Sequence, residues 1–146
     1  MNTDLTSNFQ SEDEQLFLNT ATSALLEMEN TARELEIVGV ALVAFVPGVN
    51  TTGWVSKMKV VDAIGDDEAN FLAIAYTKAA EMVMTYQDSG SEVRPPLRGE
   101  FAYKGGVIRK VRSGYVLATF SGAHWTKDLK VSQTGVNYLL NIIKQD

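Results

Sequence analysis

Apolar side chains recur every three or four residues in three stretches of the chain, which is the spacing of one face of a helix. The stretches run over about residues 11–35, 67–87 and 126–144. We therefore predict three amphipathic helices. Their predicted caps are Ser11 with Glu14 as a capping box, Asp66 or Asp67 for the second helix, and Thr126 or Ser121 for the third.

Strands are predicted between these helices. Residues 37–46 are rich in β-branched side chains and read as a central strand that is covered on both faces. Residues 54–61 alternate and read as its antiparallel neighbour. Further on, a short edge strand at 101–103 precedes a hairpin of 107–111 and 115–121, with Ser113-Gly114 as its turn.

The predicted order is therefore α-β-β-α-β-β-β-α. Short turns between consecutive strands favour antiparallel pairing, and three amphipathic helices can cover the resulting sheet. We expect an α+β fold with a five-stranded antiparallel sheet. Residues 1–10 are polar and lack periodicity, so we expect a flexible tail there and a single domain over 11–146.

Composition narrows the classes of function. Thirteen Lys and Arg against eighteen Asp and Glu give a net charge of −5, which argues against a nucleic-acid partner. The absence of cysteine excludes disulfides, thiolate catalysis and Cys-ligated metals. The amino terminus is polar and acidic, unlike a signal peptide, and the most apolar run, 37–49, is too short to span a membrane. We predict a cytoplasmic protein without a membrane partner.

Candidate site residues cluster between Lys104 and Gly135. The glycines Gly105, Gly106 and Gly122 can let a ligand approach the backbone, where free amides would bind a carboxylate or phosphate. The alternative is that these glycines only satisfy the geometry of turns.

His124 is the only imidazole of the chain. It could ligate heme or act as a general base, or simply cap a helix at the surface. Ser121, His124 and Asp128 have the residue types of a catalytic triad, but no nucleophile elbow accompanies them. Trp125 could line a flat apolar pocket, or pack in the core or a subunit interface. One histidine without cysteine predicts no closed metal site.

Several short motifs resemble the GlcG/HbpS-like family, whose members are often called heme-binding or heme-degrading domains. The resemblance covers about residues 13–143. The motifs are the strand Val38–Phe45, the helix segment Ala75-Tyr76-Thr77-Lys78-Ala79-Ala80, Gly105-Gly106-Val107-Ile108, Phe120-Ser121-Gly122-Ala123, and Asp128, Val131 and Gly135 of the last helix. The resemblance implies a profilin-like fold, heme as a possible cofactor and a homo-oligomer. The chain is identified as a divergent member, because the proline usual after the double glycine is absent.

The leading hypothesis is a non-enzymatic domain that binds or senses a small molecule, of heme or corrinoid type, as a homo-oligomer. Its pocket would lie between the sheet and the helices and include Gly105, Gly106, Ser121, Gly122, His124 and Trp125. A second hypothesis is a structural or protein-interaction module without a ligand. A third is a small enzyme of heme or organic-acid metabolism, although the sequence assigns it no catalytic residues.

Overall fold

The structure is a computed structural model that describes the backbone of residues 5–145 and the side chains of residues 9–145. It contains three helices and four strands within this range. Their bounds are α1 Leu5–Glu34, β1 Gly39–Pro47, β2 Val55–Val61, α2 Phe71–Thr85, β3 Val107–Val111, β4 Gly114–Ser121 and α3 Trp125–Leu140.

The strands form one sheet in the order β2-β1-β4-β3, and all neighbours are antiparallel. The α+β class, the antiparallel pairing and the central position of β1 are confirmed, since eight of the nine residues of β1 are buried. The hairpin is also confirmed, with its turn shifted by one residue. Val111 pairs with Gly114, so the two turn residues are Arg112 and Ser113.

The predicted five-stranded sheet is wrong, because residues 101–103 form no strand. Ala102 has a φ of +54°, and the nearby Gly99 and Gly105 have φ values of +96° and +114°. A left-handed residue within the segment interrupts the extended backbone that a ladder requires. Phe101 and Tyr103 are 63% and 40% exposed, on a loop between the second helix and the hairpin. The order is therefore α-β-β-α-β-β-α.

The predicted helix starts also need correction. Helix α1 begins at Leu5, so Ser11 lies within the helix and does not cap it, and the predicted tail is helical from Leu5 onward. Residues 1–4 of that tail lie outside the described residues. The cap of α2 is Asn70, whose Oδ1 accepts from the amide of Ala73 at 2.9 Å. Asp66 instead accepts from two amides of the preceding turn.

Two layers of helices enclose the sheet. Helices α1 and α3 pack on one face, where Phe17, Met28, Phe45 and Phe120 belong to one buried cluster. Helix α2 packs on the other face. A Cβ on Gly135 would lie 2.5 Å from the sulfur of Met28 and 3.0 Å from the Cβ of Ala118. The absence of a side chain at this position therefore lets α3 pack closely on both β4 and α1.

Within residues 5–145, no helix combines the length and the apolar character needed to cross a membrane.

Candidate functional site

A cavity of about 510 Å³ lies where the end of β4, the first half of α2 and the start of α3 meet. This volume is within the range of pockets that hold small organic ligands. Part of the lining is apolar and aromatic, and the part formed by Lys78, Ser121 and Asp128, called the polar end, carries charged and hydroxyl groups. The lining residues are Ala69, Phe71, Ile74, Lys78, Ala102, Tyr103, Lys104, Ser121, Gly122, Ala123, Trp125 and Asp128.

The polar end of the cavity is built on a buried ion pair between Lys78 of α2 and Asp128 of α3. Their side chains are 2% and 5% exposed, and Lys78 Nζ lies 3.1 Å from Asp128 Oδ2. The small residues Ala75 and Ala79 lie on the same buried face of α2 as Lys78. Because they let the helix lie close to the sheet, the lysine side chain reaches the end of β4 beneath it.

Further hydrogen bonds fix this pair. Lys78 Nζ donates to the carbonyl of Phe120 at 2.7 Å, and Asp128 Oδ1 accepts from the amide of Ala123 at 3.1 Å. The pair therefore joins α2, the end of β4 and the first turn of α3. Nζ uses two of the three donors that an ammonium group offers, and the cavity lies beside it.

Burial shifts both members of the pair toward their neutral forms. Loss of solvent lowers the pKa of Lys78, and the neighbouring Asp128 opposes part of this change. Loss of solvent likewise raises the pKa of Asp128, with Lys78 acting against it. Both directions favour a proton on the carboxyl group and a free amine on the lysine.

Ser121 lines the same cavity and is 1% exposed. Its Oγ is buried and has no hydrogen-bond partner within the described part of the chain. Leaving a buried hydroxyl without a partner costs about 1–3 kcal/mol, so an oxygen or nitrogen atom of a ligand would find an energetic advantage there.

The predicted glycines have three different roles. Gly122 lines the cavity. A Cβ on Gly105 would lie 3.0 Å from the Cβ of Asp128 and 3.2 Å from Lys78 Nζ, so this glycine lets the loop reach the ion pair. Gly106 lies away from the lining, and its amide donates to Ser89 Oγ at 2.8 Å. That amide is therefore already used and does not face a ligand in the cavity.

Of the predicted aromatic pair, Trp125 lines the cavity and His124 does not. His124 is exposed and caps α3, because its Nδ1 accepts from the amide of Thr126 at 3.3 Å. Lys104 Nζ lies 5.0 Å from the centre of the Trp125 ring, in cation–π range at the cavity mouth. The triad of Ser121, His124 and Asp128 is not assembled, since the Asp128 carboxylate bonds to Lys78 and Ala123 instead.

Sequence reasoning gave Lys78 no role in the site. It named this lysine only within a family-like helix segment and did not pair it with Asp128. The sequence pattern does indicate that Lys78 is buried, because this lysine falls on the apolar stripe of α2 with Phe71, Ala75 and Met82. A lysine on a buried helical face needs a partner, and an acidic residue on another buried face is the natural candidate.

The residues at this site do not fit a heme that is held by an imidazole. Among residues 9–145, no histidine or methionine lines the cavity, and the chain contains no cysteine. His124 uses one ring nitrogen to cap α3 at the surface. Among the described residues, no group of three or more histidine or acidic side chains is arranged to hold a metal ion.

A second cavity, of about 420 Å³, lies on the other side of the loop that contains Ala102. Arg94 holds this loop through a two-point ion pair with Glu100, at 2.7 and 2.9 Å. The amide of Leu97 donates to the same carboxylate. The Arg94 hydrogen bonds, followed by the Leu97 amide, lower the pKa of Glu100 to about 2. The loop that separates the two cavities is thus fastened by charge.

Comparison with known proteins supports the fold. No family model matches the chain, and no curated protein matches it. The crystal structure of the Klebsiella pneumoniae protein ORFY, assigned to the DUF336 family, is similar with a TM-score of 0.58 and 17% identity, over 84% of this chain and 88% of that chain. GlcG-like proteins belong to that family. The predicted resemblance is therefore confirmed at the level of the fold. At 17% identity, the similarity says nothing about which ligand this chain binds.

Proposed function

We propose that this chain is a binding domain for a small organic molecule, held in the cavity between α2, the end of β4 and the start of α3. The single observation that carries the proposal is the buried hydroxyl of Ser121, which has no partner among residues 9–145 and lines the same cavity as the Lys78–Asp128 pair. Polar groups that serve the fold alone are normally satisfied. A ligand atom would complete this set.

The walls define the class of ligand. Phe71, Ile74 and Trp125 offer apolar and aromatic surface, while Lys78 and Ser121 lie at the polar end. The arrangement suits a compact molecule with an apolar body and one oxygen-bearing group. Lys104 at the mouth would also favour a ligand with a negative charge. We keep heme and corrinoid ligands outside this proposal, because the lining lacks an axial ligand of the imidazole type.

Calorimetric titration with benzoate, benzyl alcohol and acetophenone tests the proposal. We expect saturable heat from at least one of them, and a stabilisation of about 2.7 kcal/mol at a hundred times its Kd. Ala123→Phe places a ring at the polar end of the cavity and should abolish binding. Ala80→Phe is the matched control, because Ala80 is exposed on α2 and does not line the cavity. Absence of heat from all three probes, or equal heat with Ala123→Phe, would refute the proposal.

Self-association, which the family resemblance implies, stays a prediction. Three aromatic side chains near the cavity, Phe101, Tyr103 and Trp125, are 63%, 40% and 40% exposed. The rings of Phe101 and Tyr103 lie 5.7 Å apart. Such surface aromatics suit contact between copies or with another protein, which is the alternative of an interaction module. Light scattering of the wild type and Phe101→Ser would show whether these side chains hold an oligomer together.

A further inference from the structure

Of the two lysines that line the cavity, Lys78 is the buried one, and its Nζ lies 3.1 Å from the carboxylate of Asp128. We propose that Lys78 captures the carbonyl group of a small aldehyde or ketone as a reversible imine. The inference rests on the proposed function, since the same cavity must first hold the molecule. It names the ligand class as carbonyl compounds and makes the binding covalent.

The environment of Lys78 favours this chemistry. An amine attacks a carbonyl carbon only in its uncharged form, and lysines in apolar pockets supply that form near neutral pH. Burial lowers the pKa of Lys78, as described above. Lys104, which also lines the cavity, is exposed to solvent and lacks this burial.

Asp128 supplies the proton steps. Transfer of one proton from Nζ to Oδ2 along their hydrogen bond gives a free amine and a carboxylic acid. The nitrogen lone pair forms the C–N bond while the carbonyl π bond breaks. Asp128 donates its proton to the carbonyl oxygen and takes one from the nitrogen, which gives a neutral carbinolamine and leaves Asp128 protonated. Asp128 protonates the hydroxyl group, which leaves as water while the C=N bond forms. The nitrogen then returns its proton to Asp128. One carbonyl and one amine yield one imine and one water, without a redox step.

The hydroxyl of Ser121 could hydrogen-bond to the carbonyl oxygen of the ligand. Lys78 Nζ bonds to the carbonyl of Phe120, the residue directly before Ser121, so the amine and the free hydroxyl lie at the same end of the cavity. The hydroxyl can donate to the carbonyl oxygen of the ligand and to the carbinolamine. This would satisfy an Oγ that has no partner among residues 9–145.

Reductive trapping tests the inference. The full-length chain is incubated with a low concentration of benzaldehyde and sodium cyanoborohydride, which converts an imine into a stable benzylamine, and the labelled lysine is located by peptide mass spectrometry. We expect Lys78 to carry most of the label, because burial lowers its pKa and leaves more of its amine uncharged than at an exposed lysine. Lys78→Arg should remove the fast label. Lys130→Arg changes an exposed lysine of α3 that does not line the cavity, and it should leave the label unchanged.

The outcomes separate this inference from the proposed function. Fast labelling of Lys78 that is lost in Ala123→Phe supports both. If the label is spread over exposed lysines, the proposal that Lys78 forms the imine is refuted. The peptide map of the wild-type chain decides this alone, so the result holds even if Lys78→Arg fails to fold. If Lys78 stays unlabelled while benzyl alcohol still gives heat that Ala123→Phe abolishes, the cavity binds small molecules without capture. If neither labelling nor heat is seen, both proposals fail.

Discussion

Two buried clusters of charge differ in one respect that separates a structural role from a binding role. At one end of the molecule, the fully buried Asp13 of α1 accepts from both Arg112 and Ser113 of the hairpin turn. At the other end, Lys78 and Asp128 bond to each other and share a cavity with Ser121, whose hydroxyl has no partner in the described part of the chain.

The difference lies in how completely each cluster is satisfied. Around Asp13 both carboxylate oxygens and the serine hydroxyl are used, and the cluster fastens α1 to the sheet. Around Lys78 a cavity of about 510 Å³ adjoins the pair. A closed polar cluster stabilises a fold, whereas an incomplete one next to a cavity keeps bonding capacity for a ligand. This contrast is the central support for placing the site at Lys78.

The largest expected effect comes from breaking the open pair. Asp128→Ala leaves a buried lysine without its partner, which should cost about 3–5 kcal/mol of the free energy of unfolding. The double variant Lys78→Met with Asp128→Leu removes both charges, and buried pairs replaced by apolar side chains often lose little. Urea denaturation measures both. A double variant as unstable as the single one would show that the pair itself, rather than the stranded charge, stabilises the fold.

A smaller change in the free energy of unfolding is expected when one of two buried serines, one from each cluster, is replaced by alanine. Ser113→Ala removes a hydrogen bond to a carboxylate and should cost about 1.5–3 kcal/mol. Ser121→Ala removes a buried hydroxyl that has no partner among residues 9–145, so it should leave the free energy of unfolding unchanged or raise it. Both substitutions delete one oxygen at a buried site, which makes them matched controls for each other. Equal losses in thermal or urea unfolding would contradict the difference between the clusters.

The smallest effect concerns the loop that borders the open cavity. The folded pKa of Glu100, about 2, lies below its ordinary value of 4.5. A carboxylate with a depressed folded pKa adds stability above its unfolded pKa and loses it as the pH falls through the folded value. The contribution should therefore disappear between about pH 4.5 and pH 2. Unfolding of Glu100→Gln measured across this window should lack that part of the pH dependence. An unchanged profile would mean that the Arg94–Glu100 pair does not fasten the loop.

The sequence predicted the parts of the fold that local patterns specify. β-branched residues marked β1, and the apolar strands around Ser113 marked the hairpin to within one turn residue. The false strand at 101–103 arose because three alternating residues do not reveal the left-handed backbone of Ala102. The early start of α1 was missed because Ser11 and Glu14 match a capping box that the longer helix overrides.

The site was predicted only in part, and the reason is the distance along the chain. Ser121, Gly122 and Trp125 were named from one stretch, and all three line the cavity. Lys78 lies 50 residues from Asp128, so their contact depends on how α2 and α3 meet at the end of the sheet. The sequence left His124 open as a heme ligand, a general base or a helix cap. Its hydrogen bond with the amide of Thr126 shows that it caps α3. Local motifs therefore predicted the lining residues near the start of α3, whereas the Lys78–Asp128 pair became visible only in the tertiary structure.

The most direct test of the open cluster as a ligand site is an NMR titration of the backbone amides with acetophenone, a carbonyl compound that fits the proposed class. We predict saturable shifts at Gly105, Gly122, Ala123 and Trp125, around the Lys78 cavity, with no shift at Arg112 and Ser113 in the closed cluster. Shifts that fail to saturate, or that appear equally at both clusters, would contradict the claim that the chain binds small molecules at Lys78.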